Sequence, residues 1–275
     1  MPKKTSLSAD LTQEMKKNLF GNAYLNMLWH CPSDPRFHYW VHLPDCYYDE
    51  PDPHYQLLVI IHGTGCGIEE YIRSARTLAD KQHVAILAPV FPGGLIDHDD
   101  FNSYKLLSCD GIRYDQILLS MIEDMKKRYP GLETDRFFLF GHSGGGQFVN
   151  RFLFVHPERL KAVSIGAPGR PTFLNSNEDY FWGIRDFKVY FDKDPDLEKI
   201  CKIPVQITVG ERDTAFIGDS PYGSNRLERM KSLKANLEAN GLSVCLEILS
   251  GLEHGGGEDI RINTAQEFFI SRSIG

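Results

Sequence analysis

Three residues of this 275-residue chain could together perform nucleophilic chemistry: Ser143, Asp213 and His254. Ser143 lies in Gly141-His142-Ser143-Gly144-Gly145, a G-x-S-x-G pattern. A serine hydroxyl is a weak nucleophile at neutral pH. It needs a base within hydrogen-bonding reach, and the base needs a carboxylate to fix its tautomer and stabilise its charged form. The acid lies in Gly210-Glu211-Arg212-Asp213-Thr214 and the base in Leu252-Glu253-His254-Gly255-Gly256-Gly257.

Such groups are useful only if the fold brings them to one place. Phe137-Phe138-Leu139-Phe140 is an apolar run that reads as a buried strand, and Phe148 to His156 is amphipathic and reads as a helix. Ser143 then stands at a sharp strand-to-helix turn, where small residues are needed on both sides and the Gly144 N–H faces the serine oxygen from a helix N-terminus. Leu57–Ile61, Val84–Val90, Leu160–Ile165, Val205–Val209 and Val244–Leu249 read as further strands. Helices are expected over 68–81, around Leu118–Tyr129, over 225–240 and over 258–273. The first carries Ile68, Tyr71, Ile72, Ala75, Leu78 and Ala79 on one face; the last carries Ile262, Ala265, Phe268 and Phe269. Alternating strands and helices imply a mostly parallel sheet covered on both faces. Tyr24–His30 and Phe37–Leu43, with Pro32-Ser33-Asp34-Pro35 between them, predict an antiparallel hairpin before it; residues 1 to about 20 read as an arm, and 45–54 and 91–110 as loops. In such a sheet, functional groups gather on loops at the C-terminal ends of strands, where Ser143, Asp213 and His254 all fall.

These motifs and their order resemble the α/β-hydrolases, and His62-Gly63-Thr64-Gly65 resembles that family's oxyanion loop. The resemblance runs from about Tyr24 to the C-terminus and is nearest in look to esterases and polyester depolymerases. It implies Ser143 as nucleophile, His254 as general base and then acid, Asp213 as its orienting acid, and the N–H groups of Gly144 and of Thr64 (or Gly65) as oxyanion donors. It implies cleavage of a carboxylic ester or lactone through an acyl-enzyme, with no cofactor and no metal. An amide, thioester, peptide or carbon–carbon bond would suit the same groups, and a ligand receptor on the same fold is the alternative from another class.

Glu211 competes with Asp213 as the acid. Among ten histidines, His62 reads as ordering the oxyanion loop, and His142 as packing or pocket wall. Cys66 lacks a matched base and reads as a small apolar filler. Residues 167–200 interrupt the rhythm of a single 275-residue domain as a short lid-like insertion, with Phe173, Tyr180, Phe181, Trp182, Phe187, Tyr190 and Phe191. These aromatics either roof the site, with Phe181 and Trp182 beside Gly65 and His142 as substrate contacts, or anchor a surface excursion to the core. Phe101 and Tyr104 could supply a second wall.

With 42 % hydrophobic residues the chain can bury a large core, while a net charge of −7 and a pI near 5.8 disfavour a nucleic-acid groove. The acidic stretches around Asp97–Asp100 and Asp192–Asp196 read as solvated loop rather than metal ligands. No glycine run has phosphate-loop spacing. No segment has the length of a membrane span, and the N-terminus lacks the apolar core of a secretory signal. The six cysteines are scattered without ligand-like spacing, as free thiols in a reducing compartment would be. The expectation is therefore a cytoplasmic enzyme of small molecules; oligomeric state is not readable.

Overall fold

In a computed structural model, residues 25–49 and 54–273 are described, with a few positions between 11 and 18. Most of the N-terminal arm, Tyr24 of the first strand and Pro51 and Pro53 of the acidic loop lie outside the described residues, as does the Leu78 side chain. The strands are β1 (Asn26–His30), β2 (His38–His42), β3 (Tyr55–Ile61), β4 (Val84–Val90), β5 (Leu132–His142), β6 (Leu160–Gly166), β7 (Val205–Gly210) and β8 (Val244–Leu249). They form one eight-stranded sheet in the order β1-β2-β4-β3-β5-β6-β7-β8. The pairs β1/β2 and β2/β4 are antiparallel and every other pair is parallel. The chain thus has the α/β-hydrolase fold, with its antiparallel hairpin at one edge.

Alternation along the central strands sorts side chains to two faces. Leu57, Val59, Ile61, Phe137 and Leu139 join one buried cluster, with Leu118 and Met121 of α2 (Tyr114–Arg128), Phe148 and Phe152 of α3 (Gly144–Val155), and Leu233 and Leu237 of α6 (Arg226–Ala239). Leu58, Ile60, Phe138 and Phe140 join a second, with Tyr71 and Ala75 of α1 (Glu69–Gln82) and Ile262, Ala265 and Phe269 of α7 (Glu258–Ser273). Strands buried on both faces explain the unbroken apolar runs in the sequence.

Three segments depart from the expectations. Strand β5 begins at Leu132 rather than Phe137, because 132–136 pairs with Tyr55 and Gln56 beyond the core and alternates in exposure instead of reading as apolar. The 91–110 loop contains a 3₁₀ turn, Ser103–Leu106, whose Tyr104 and Lys105 are buried, and a two-residue ladder between Ser108–Cys109 and Ile112–Arg113. Asp45–Tyr48 also forms a 3₁₀ turn.

The 167–200 excursion carries two short helices, α4 (Phe187–Phe191) and α5 (Leu197–Ile200). Phe173, Tyr180, Phe187 and Phe191 are buried in the first cluster, so these four anchor the segment to the core. Phe173 stacks on Tyr222 with ring centroids 3.6 Å apart. Six free thiols are present, and among the described residues no helix is long and apolar enough to cross a membrane.

The first turn of helix α3 meets the strand ends backbone to backbone. A Cβ on Gly145 would stand 2.8 Å from the His62 carbonyl oxygen and still nearer that of Ile61, while one on Gly146 would strike the Gly166 carbonyl. Gly145→Ala is therefore expected to lower stability by about 1–3 kcal/mol in urea unfolding. Gly67→Ala, where an added Cβ meets nothing within 4 Å, should change it by less than about 0.5 kcal/mol. Equal stability of the two variants would contradict this packing.

Candidate active site

Between the end of β5 at His142 and the start of α3 at Gly144, Ser143 has φ 57° and ψ −112°. A side chain avoids this region, at a cost of roughly 1–3 kcal/mol unless neighbouring structure imposes it. Here the Ser143 N–H donates to the Gly166 carbonyl at 2.7 Å, and the Ser143 carbonyl accepts from the Gln147 N–H at 3.1 Å. Gly141 must lack a side chain, since its Cβ would lie 2.5 Å from the Gly145 carbonyl.

Strands β7 and β8 deliver the other two groups. Asp213 is buried, and its Oδ2 lies 2.7 Å from His254 Nδ1. His254 Nε2 in turn lies 2.9 Å from Ser143 Oγ. A carboxylate can only accept, so Nδ1 carries the imidazole proton and Nε2 is left to accept from the serine hydroxyl. Glu211 faces elsewhere: its Oε2 accepts from the Gly251 N–H at 2.8 Å and from Ser250 Oγ at 3.2 Å. It braces the start of the histidine loop, and the Gly251 and Ser250 hydrogen bonds hold its carboxyl below the usual range.

Two further side chains position that loop. His142 Nε2 donates to the His254 carbonyl at 2.9 Å, and the two imidazoles lie 4.9 Å apart. His142 is thus packed against His254. Arg261 of α7, 1 % exposed, donates through Nη2 to the carbonyls of Glu253 at 2.6 Å and His254 at 3.3 Å. No motif contains Arg261. Its one sequence signal is a cation beside Ile262 at the start of the helix's apolar stripe.

On the other side of Ser143, the Thr64 backbone nitrogen lies 3.1 Å from the position a Cβ on Gly144 would take. The two backbone segments expected to donate to an oxyanion are therefore adjacent. His62 orders this turn: Nδ1 donates to the Gly63 carbonyl at 2.7 Å and Nε2 accepts from the Phe91 N–H at 3.0 Å. Tyr104 Oη donates to the His62 carbonyl at 3.2 Å, and Phe101 is exposed. Gly65 is exposed at the tip of the turn. Cys66 points its Sγ to the Phe91 carbonyl at 3.5 Å, and burial raises its thiol pKa, opposite to what a thiolate nucleophile needs.

A cavity of about 440 Å³ opens beside these groups. Phe181 lines it, but five of its eleven lining residues are cationic: Lys105, Arg151, Arg170, Arg226 and Arg229. Trp182 is not among the lining residues; it lies under the Arg229 guanidinium, 5.2 Å from the ring centroid, and against Phe173 and Tyr222. The wall differs from an aromatic roof because most of the excursion's rings are spent on the core. Ser143, Asp213 and His254 are not themselves in the lining of this cavity; Lys105 beside Gly144 and Arg226 beside Asp213 place it next to them. A more apolar cavity of about 250 Å³, lined by Leu58, Val84, Phe138, Phe269 and Ile270 among others, also includes none of the three and has no such link to them.

No protein-family model and no curated protein matches the chain. Solved structures do. The poly(aspartic acid) hydrolase-1 of Sphingomonas sp. KT-1 superposes with a TM-score of 0.72 at 19 % identity, over 88 % of this chain and 96 % of that one. A poly(3-hydroxybutyrate) depolymerase from Bordetella parapertussis gives 0.70 at 19 %, over 96 % and 95 %. An S-formylglutathione hydrolase from Agrobacterium tumefaciens gives 0.59 at 14 %, over 90 % and 95 %. At these identities the likeness establishes the fold.

Burial holds the His62 pKa down to about 4 and that of His142 to about 3. Both are neutral when folded, whereas an unfolded histidine titrates near 6.5. Their contribution to stability is thus complete above about pH 6.5 and declines as pH falls toward the folded values. Urea unfolding should show stability lower by a few kcal/mol at about pH 5 than at about pH 7.5, with a smaller drop in His142→Asn. A flat profile, or stability rising on acidification, would contradict the assignment.

Proposed function

We propose that this protein is a serine hydrolase that cleaves a carboxylic ester or lactone through an acyl-enzyme. The observation that carries the reading is the continuous line from Ser143 Oγ to His254 Nε2 at 2.9 Å and from His254 Nδ1 to Asp213 Oδ2 at 2.7 Å. It starts at a strained strand-to-helix apex, with the Thr64 and Gly144 backbones side by side.

The chemistry follows from those positions. Ser143 Oγ attacks the carbonyl carbon, and its proton passes to His254 Nε2. Asp213, buried and facing Nδ1, stabilises the imidazolium that forms. The carbonyl oxygen becomes an oxyanion and accepts from the Gly144 and Thr64 N–H groups; a donor of this kind contributes about 3–4 kcal/mol to the transition state. When the tetrahedral species collapses, the carbon–oxygen bond to the leaving group breaks and His254 returns its proton to the departing alkoxide. A water molecule then attacks the acyl carbon. His254 takes its proton, the acid product leaves, and Ser143 Oγ recovers the proton.

Hydrolases acting on esters stand among the structurally similar proteins by name, including a poly(3-hydroxybutyrate) depolymerase and a ferulic acid esterase. That agrees with the reading and leaves the substrate to the pocket. A receptor on the same fold has no need of an assembled base, so the two short hydrogen bonds weigh against it.

Ser143→Ala should lower ester turnover at least about 10⁴-fold. Its urea midpoint should stay within error of wild type, because alanine meets the same backbone and loses one exchangeable hydrogen bond. Turnover of a p-nitrophenyl ester within tenfold of wild type would contradict the mechanism.

A further inference from the structure

We propose that the cavity beside Ser143 receives a negatively charged, oxygen-bearing group of the substrate, a carboxylate or a phosphate, and that the preferred esters carry such a group at their far end. The proposal deepens the hydrolase reading and rests on it for the bond that is cleaved.

The cavity brings Lys105, Arg151, Arg170, Arg226 and Arg229 together, and no aspartate or glutamate lines it. In a chain with net charge −7, this is a local reversal of sign. Of these five cations, only Arg226 has an acid among the described residues in ion-pair contact, Asp213 at 3.5 Å, and that carboxylate already faces His254. Arg226 Nε is buried without a hydrogen-bond acceptor.

Arg151 and Arg229 are 1 % and 2 % exposed; their hydrogen bonds run to neutral oxygens alone, and the rings they face, Tyr180 and Phe181 for Arg151 and Trp182 for Arg229, carry no counter-charge. Arg151 donates to the carbonyls of Lys105 at 2.6 Å and Arg170 at 2.9 Å, and to Thr172 Oγ1 at 3.0 Å. Arg229 donates to the carbonyls of Gly223 at 3.0 Å and Gly218 at 2.5 Å. These bonds pin the surrounding loops but leave both charges uncompensated. Burial, with Arg170 and Arg226 nearby, makes Arg229 easier to deprotonate than an ordinary arginine. Pinning loops does not require Lys105, Arg170 and Arg226 to face the same space; binding an anion does. Burial brings the Lys105 pKa down to about 8, which still leaves the amine mostly protonated at neutral pH.

Position ties this charge to the reaction. Lys105 Cε lies 2.8 Å from where a Cβ on Gly144 would stand, and Arg226 touches Asp213. A carbonyl at Ser143 and an anion in the cavity are therefore the two ends of one short molecule, as in a half-ester of a dicarboxylic acid or a phosphate-bearing ester.

The test compares p-nitrophenyl esters of matched length that end in a carboxylate, a phosphate or a neutral methyl ester. kcat/KM for at least one charged ester should exceed the neutral one by about tenfold or more. The ratio should fall several-fold in Arg170→Gln, an exposed position, and in high salt; the better charged tail identifies the natural group. Equal kcat/KM for charged and neutral esters, with Ser143 labelled by a fluorophosphonate, would overturn the anion site and leave the hydrolase intact. If no ester turns over and Ser143 is unlabelled, the hydrolase reading fails. Calorimetry then decides the anion site: binding of glutarate or inorganic phosphate but not glutaramide, weakened in Arg170→Gln, supports it, and no anion binding overturns it.

Discussion

The approach of α3 to the ends of β3, β5 and β6 is the constraint on which the site depends. Gly141, Gly145 and Gly146 remove the atoms that would hold helix and strands apart. Only then can the chain turn within one residue, leaving Ser143 at φ 57° with its hydroxyl facing His254. The same closeness sets the Gly144 backbone beside that of Thr64, and fixes Ser143 through the Gly166 carbonyl on β6. The strain at the serine is offset by packing around it, a common arrangement where geometry serves chemistry.

Electrostatics divide the site into two regions of opposite character. Burial keeps both His142, packed against His254, and His62, in the turn before Thr64, neutral, so each can order a loop without adding a charge near Ser143. Asp213 is the carboxylate facing both His254 and Arg226, and it joins the Ser143–His254 line to the cationic cavity. On the cavity side, positive groups gather without acids. A protein that is acidic overall thus presents a positive recess beside Ser143, which in the proposed reaction would favour anionic substrates.

Much of this was legible in the sequence because the relevant signals are local. The strands read as unbroken apolar runs, the glycines around Ser143 reported a backbone contact, and the topology put Asp213 and His254 on the loops where the structure has them. Spacing past the end of β7 favours Asp213 over Glu211 as the acid, and the three-dimensional turn sends Glu211 toward Gly251 and Asp213 toward His254. The cationic cavity was illegible for a different reason. Lys105, Arg151, Arg170 and Arg229 come from four separate segments, and each reads alone as a surface charge. Arg261 was hidden likewise within the pattern of a terminal helix. The excursion's aromatics illustrate the converse, since composition could not say whether those rings faced a ligand or the core.

The measurement closest to the central claim is trapping of the covalent intermediate. A p-nitrophenyl ester would be mixed with enzyme, the reaction quenched in acid within milliseconds, and the protein digested and mapped by mass spectrometry. The account predicts an acyl group on Ser143 that forms in a burst with p-nitrophenol release and then disappears on hydrolysis. Turnover with no acyl group on Ser143, or with the group carried by Cys66 or another side chain, would contradict it.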